Sequence, residues 1–220
     1  MKNFVNKGIN FALTIGMVVL LGSCGSQRIV TTWKTDHVSP TPYKKIMVVA
    51  ILPDKDSVLR KTTEDNFVSM LEQLGYKAFS ALAEYGQHGL RNSGQENTYL
   101  KLYRNGTDAV LTVALIEKKK QNFHRRGEAY IHPNSFYYKR IWDYKNIQEA
   151  DMNTNDSAEP EFFWESIVFD LSTLEAACTV RTEPFANTGN DETNSDMARR
   201  ILKKITKENI LPKQKAQKAF

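Results

Sequence analysis

A chain of 220 residues holds one domain and is too short for several of ordinary size. Hydrophobic residues at 41% and charged residues at 25% give a globular composition and exclude a wholly disordered chain. The formal charge is +5, but it falls by two without Lys2 and Lys7, which precede the first apolar run, so the balance is a poor argument for nucleic acid. An anionic membrane or polysaccharide is the more natural partner for so modest a basic excess.

Lys2 and Lys7 lead into an apolar run from Ile9 to Leu21, broken only by Asn10, Thr14 and Gly16. The run is too short for a spanning helix, which needs about 20 residues, and has the build of a secretory signal peptide over 1–23. It ends in Leu21-Gly22-Ser23-Cys24. This tetrapeptide resembles the lipobox of bacterial lipoproteins. The resemblance implies diacylglycerol attached to Cys24, cleavage before it, and acylation of the new amine. Two or three acyl chains hold a protein on a bilayer without a spanning helix, since each buried CH₂ contributes about 0.8 kcal/mol. Gly25 and Ser26 follow, with no aspartate beside Cys24, and under the enterobacterial sorting rule that favours the outer membrane, with the domain in the periplasm. The other reading is an ordinary thiol behind an ordinary signal peptide. With Cys24 acylated, Cys178 has no disulfide partner and is expected to be a small buried residue.

Residues 24–43, with Pro40 and Pro42 and little periodicity, read as a tether, in which Trp33 either docks on the domain or stays partly exposed. A single α/β domain is expected over 44–211. Lys45–Leu52 is a continuous β-prone run, as in a strand buried on both faces. From Val58 to Leu74 the spacing turns helical, with Leu59, Thr63, Phe67, Met70, Leu71 and Leu74 on one stripe and Gly75 as the stop. Tyr76–Leu82 reads as a strand, Gly94–Asn105 as a helix closed by Gly106, and Asp108–Ile116 as a second buried strand. The pattern is β-α-β-α-β on one sheet.

Arg60, Glu64, Leu71, Leu74, Gly75-Tyr76 and Gly106-Thr107-Asp108-Ala109-Val110-Leu111 together resemble the amino-terminal α/β domain of TolB and related envelope lipoproteins, including the curli secretion-channel lipoprotein group. The resemblance covers about 44–116 and implies a three-layer α/β/α domain with a mixed sheet. The alternating hairpins of pore-forming members are missing from this chain.

Residues 117–161 are expected to form a loop or hairpin insert. Lys118, Lys119 and Lys120 with His124, Arg125 and Arg126 make a basic cluster, followed by Tyr130, Phe136, Tyr137, Tyr138, Trp142 and Tyr144. One reading packs the aromatics on the sheet beside a solvated lysine edge. The other is a partner-binding face for an envelope protein or an anionic glycan, carried by Lys118, Lys119, Arg125, Arg126, Tyr137, Tyr138 and Trp142. Phe162–Phe169 and Leu174–Glu183 then form a hairpin about Asp170–Thr173, with Ile167, Phe169, Ala176, Cys178 and Val180 assigned to its inward face. Thr193, Asn194 and Ser195 offer caps to a last helix with the stripe Met197, Ile201, Leu202 and Ile205. Its outer side carries Arg199, Arg200, Lys203, Lys204 and Lys207, the pattern of a solvated face. Residues 212–220 are expected to be disordered. The full order is therefore β-α-β-α-β-(insert)-β-β-α.

Catalytic signatures are missing. Pro53-Asp54 stands where a phosphate-binding glycine loop would follow the first strand. His37, His88, His124 and His132 have no i,i+4 partner and no paired cysteines, so no standard zinc site is written in the sequence, and no cofactor is implied. Asp54 and Asp56 sit where α/β enzymes place acids, and equally where a turn and helix cap need them. The sequence therefore supports a non-enzymatic, lipid-anchored binding or assembly module at the periplasmic face of the outer membrane. An accessory subunit of a secretion or transport complex and a small envelope hydrolase stand as alternatives.

Overall fold

The computed structural model describes residues 28–36, 43–52, 56–87, 95–117, 161–186 and 191–214. Among these, seven strands form one mixed sheet. They are β1 (Ile29–Lys34), β2 (Lys45–Ile51), β3 (Lys77–Ser80), β4 (Ala109–Glu117), β5 (Glu161–Asp170), β6 (Glu175–Thr182) and β7 (Phe185–Ala186). The helices are α1 (Ser57–Gln73), α2 (Ala81–Tyr85), α3 (Gln95–Arg104) and α4 (Asp191–Lys207). The sheet order is β1-β6-β5-β4-β2-β3, with β7 paired to the start of β5. β2 runs parallel to β3 and β4, and the other pairs are antiparallel.

The continuous runs of β2 and β4 are explained by burial on both faces. Ile46, Val48, Leu111 and Val113 share one cluster with Phe67 and Leu71 of α1 and with Met197, Ile201, Leu202 and Ile205 of α4. Met47, Val49, Val110 and Ala114 lie in a second cluster with Ala81 of α2 and Leu102 of α3. A strand in that position needs apolar residues at every step rather than every second one.

Five expectations change. Ile29–Lys34, placed in the tether, is the edge strand β1, in antiparallel register from Ile29↔Thr182 to Lys34↔Cys178, and Trp33 packs partly buried on the second cluster. An edge strand has a neighbour on one side only, so Ile-Val-Thr-Thr-Trp forms one through β-branched propensity without a long apolar run. The strand expected through Leu82 stops at Ser80, whose hydroxyl accepts from Ala83 N at 3.0 Å and starts α2. Asn194 is no cap: α4 begins at Asp191, and Asn194, buried, donates Nδ2 to Thr63 Oγ1 at 3.0 Å on α1. The five residues assigned to one hairpin face divide between two. Ile167, Phe169 and Ala176 belong to the second cluster, Cys178 and Val180 to the first. The cause is a bulge: Val168 pairs with Cys178 but Phe169 with Ala176, so Ala177 is an extra residue and the alternation changes phase there. Finally, the chain is held in place as far as Gln214: Tyr76 OH donates to Pro212 O at 2.6 Å and Gln214 N to Leu74 O at 2.8 Å.

Gly75 has φ +95, and a Cβ there would stand 2.8 Å from Gln214 Cβ. Glycine is thus required both for the left-handed helix stop and for the close approach of the carboxyl-terminal strap.

Candidate functional site

In an open sheet with parallel strands, ligands bind beyond the carboxyl ends of those strands. That end is built around α1. Asp56 is its N-cap residue, but its side chain makes no capping bond. One and two turns in, Arg60 and Glu64 stand four apart and are buried, Glu64 to 1% exposure. Glu64 Oε1 accepts from Ala50 N at 2.9 Å, and Oε2 accepts from Leu82 N at 2.8 Å and from the Ser80 hydroxyl. Arg60 Nη2 donates to Leu52 O at 2.9 Å and Nη1 reaches Gln87 O at 3.5 Å. Burial pushes the Glu64 carboxyl above its ordinary value of 4.5, while the donors from Ser80, Leu82 and Ala50 and the Arg60 charge pull it down. Both carboxylate oxygens are engaged, so Glu64 ties the ends of β2 and β3 to α1.

A second charged pair, Glu165 and Arg181, faces across β5 and β6 at paired positions, and Arg181 also lies over the Phe163 ring, 5.6 Å from its centroid. Glu165 is buried, so this pair stiffens the sheet from within.

The outer side of α1 and α4 forms a groove of about 660 Å³. Met70, Leu74 and Leu202 make its floor, and Arg199, Lys203 and Lys213 stand along it. The two helices are joined at one end by the Asn194–Thr63 hydrogen bond and at the other by the strap from Pro212 to Gln214. Lys213 belongs to that strap and so has a fixed backbone position at the groove's end.

Among the residues singled out from sequence, Cys24, Lys118, Lys119, Arg125, Arg126, Tyr137, Tyr138, Trp142, Asp54 and all four histidines lie outside the described residues. Asp56 is the helix cap position already described. Cys178 is buried, and burial first, with Glu208 nearby, pushes its thiol up to about 12, which makes it an inert core residue. No group of three His, Cys, Asp or Glu side chains that could hold a metal ion occurs among the described residues. None of the described helices is long and apolar enough to cross a membrane. The groove was missed because its two walls are more than a hundred residues apart in sequence, and each alone looks like the solvated face of a helix. Arg60 and Glu64 were visible as an i,i+4 pair beside the apolar stripe.

No family model matches the chain, and no curated protein matches it. The resemblance to TolB therefore rests on the quoted residues alone. Among solved structures, the PelC dodecamer of Paraburkholderia phytofirmans in space group P6 is similar at 11% identity, over 84% of this chain and 99% of that one, with a TM-score of 0.40. A PelC point variant from the same organism, in space group C2, gives 11% identity over 78% and 96%, with a TM-score of 0.38. At this level the likeness assigns neither activity nor assembly to this chain.

Proposed function

We propose that the chain is a non-enzymatic, lipid-anchored envelope protein, a binding or assembly module at the periplasmic face of the outer membrane. Its domain is a three-layer one, with α1 and α4 on one side of the sheet and α2 and α3 on the other. The observation that carries the reading is Leu21-Gly22-Ser23-Cys24 at the end of a short apolar run behind Lys2 and Lys7. The edge strand adds geometry to it. β1 begins at Ile29, opposite Thr182, at the carboxyl end of the parallel strands. Five residue steps separate Ile29 from Cys24, a reach of about 18 Å at most. An acylated Cys24 therefore holds this end of the sheet close to the bilayer, where a 20-residue tether would leave the domain free to tumble. The connection carrying Lys118, Lys119, Arg125, Arg126, Tyr137, Tyr138 and Trp142 leaves β4 at Glu117 and returns at Glu161, beside Glu117's pairing partner Phe162, at the same end.

Metabolic palmitate labelling tests the anchor. Wild type takes up label, Cys24→Ala does not, and globomycin makes the uncleaved precursor accumulate. An unlabelled wild type overturns the reading. For the partner face, Arg125→Ala with Arg126→Ala lowers recovery of partners from native membranes while the circular dichroism spectrum stays unchanged.

A further inference from the structure

We infer that the groove between α1 and α4 is a binding site for an anionic glycan, a short run of uronic-acid residues. Three observations carry this. The first is charge: Arg199, Lys203 and Lys213 line the groove, and no carboxylate does so among the described residues. The second is the mixture of surfaces. The apolar floor suits the C–H face of a pyranose ring, and Asn66, Gln73 and Ser195 on the walls offer donors and acceptors for ring hydroxyls. The third is form. The α1 wall runs from Asn66 to Leu74, about 12 Å along a helix, which makes an elongated slot for a di- or trisaccharide. It is assembled before any ligand arrives, because Gln214 N on Leu74 O, Tyr76 OH on Pro212 O and Asn194 on Thr63 fix its two ends.

A phosphate group is the weaker match. Phosphate sites favour an unoccupied arginine fork or a helix amino terminus, whereas Arg199 Nη1 is held by Asp196 at 2.6 Å and the other two cations are lysines acting as separate point charges. A lipid headgroup is disfavoured by position. The Lys213 end of the groove lies beside Leu74 and Gly75, at the amino end of the parallel strands, opposite the end where β1 begins.

The test is calorimetric titration of the full chain with trigalacturonic acid, with its methyl-esterified trimer as uncharged control. The acid binds saturably, more weakly as salt is raised, and the ester does not. Reversing two exposed charges, Lys203→Glu with Lys213→Glu, lowers affinity about tenfold or more with an unchanged melting temperature. Asn66→Ala with Gln73→Ala weakens binding without changing its salt dependence. No saturable binding, equal binding of the ester, or undiminished binding by the charge-reversed chain each overturn the inference. The result does not depend on acylation of Cys24, so it fails or stands separately from the anchor.

Discussion

The two ends of the sheet are built differently. At the amino end of the parallel strands, side chains close the turns. Asp108 Oδ2 accepts from Lys44 N and Lys45 N, each at 2.8 Å, and its carbonyl accepts from Leu171 N. Lys45 Nζ donates to Asn105 O and Oδ1, Tyr43 OH donates to Asp170 Oδ2, and Asp170 Oδ1 accepts from Ser172 N and Oγ. Burial and the Asp170 carboxylate hold the Tyr43 phenol well above its ordinary range, so it remains a donor. At the carboxyl end the corresponding bonds lie deeper, in Arg60 and Glu64. Apart from the connection 35–44, one end is finished by short turns. The other stops at the buried Arg60 and Glu64 and hands the chain to the connections 88–94 and 118–160, at the end where α/β proteins place recognition.

If that division is correct, the largest loss follows Glu64→Ala. It leaves the Ala50 and Leu82 amides and the Ser80 hydroxyl without their shared acceptor and takes away the carboxylate that faces the Arg60 charge, and the expected cost is about 3–5 kcal/mol in urea unfolding. Asp108→Ala, at the other end, removes the acceptor of two backbone amides and costs about 2–3 kcal/mol by the same measurement. An Asp108 loss larger than the Glu64 loss contradicts the view that the deeper pair carries more. Gly75→Ala costs about 1–2 kcal/mol for the left-handed backbone and displaces the strap, read as faster amide exchange at Gln214.

The pH dependence sharpens the same comparison. Burial raises the Glu64 pKa in the folded chain above 4.5, so between 4.5 and the raised value the folded state holds a proton that the unfolded state has lost. Stability falls as pH climbs through that window. The difference in urea midpoint between wild type and Glu64→Gln therefore shifts against wild type as pH rises. A shift in favour of wild type means that the donors outweigh burial.

How much of this was legible in sequence depends on how far each signal is local. β2 and β4 were readable because burial on two faces writes an unbroken apolar run, and α4 because Met197, Ile201, Leu202 and Ile205 keep one stripe. β1 was not, because pairing with β6 supplies the stability that its own sequence does not display. The phase change at Ala177 was not, because a bulge is decided by two strands at once and period-two reading assumes there is none. Arg60 and Glu64 could be seen as a pair but not as buried, since their donors come from Ala50, Ser80 and Leu82 on other elements. The groove joins residues from positions 66–74 to residues from 195–213, and nothing in either stretch alone announces the other.

The central claim is that a lipid on Cys24 holds the carboxyl end of the sheet to the bilayer, and energy transfer measures it directly. Cys178 is buried with its thiol raised, so a single introduced cysteine takes the dye. Pro184→Cys and Thr173→Cys place exposed labels just beyond opposite ends of β6, about 23 Å or more apart by its strand rise. With acceptor in the headgroups of vesicles bearing the acylated protein, the label at 184 transfers strongly and the label at 173 weakly. Equal transfer from both, or the reverse order, contradicts the account.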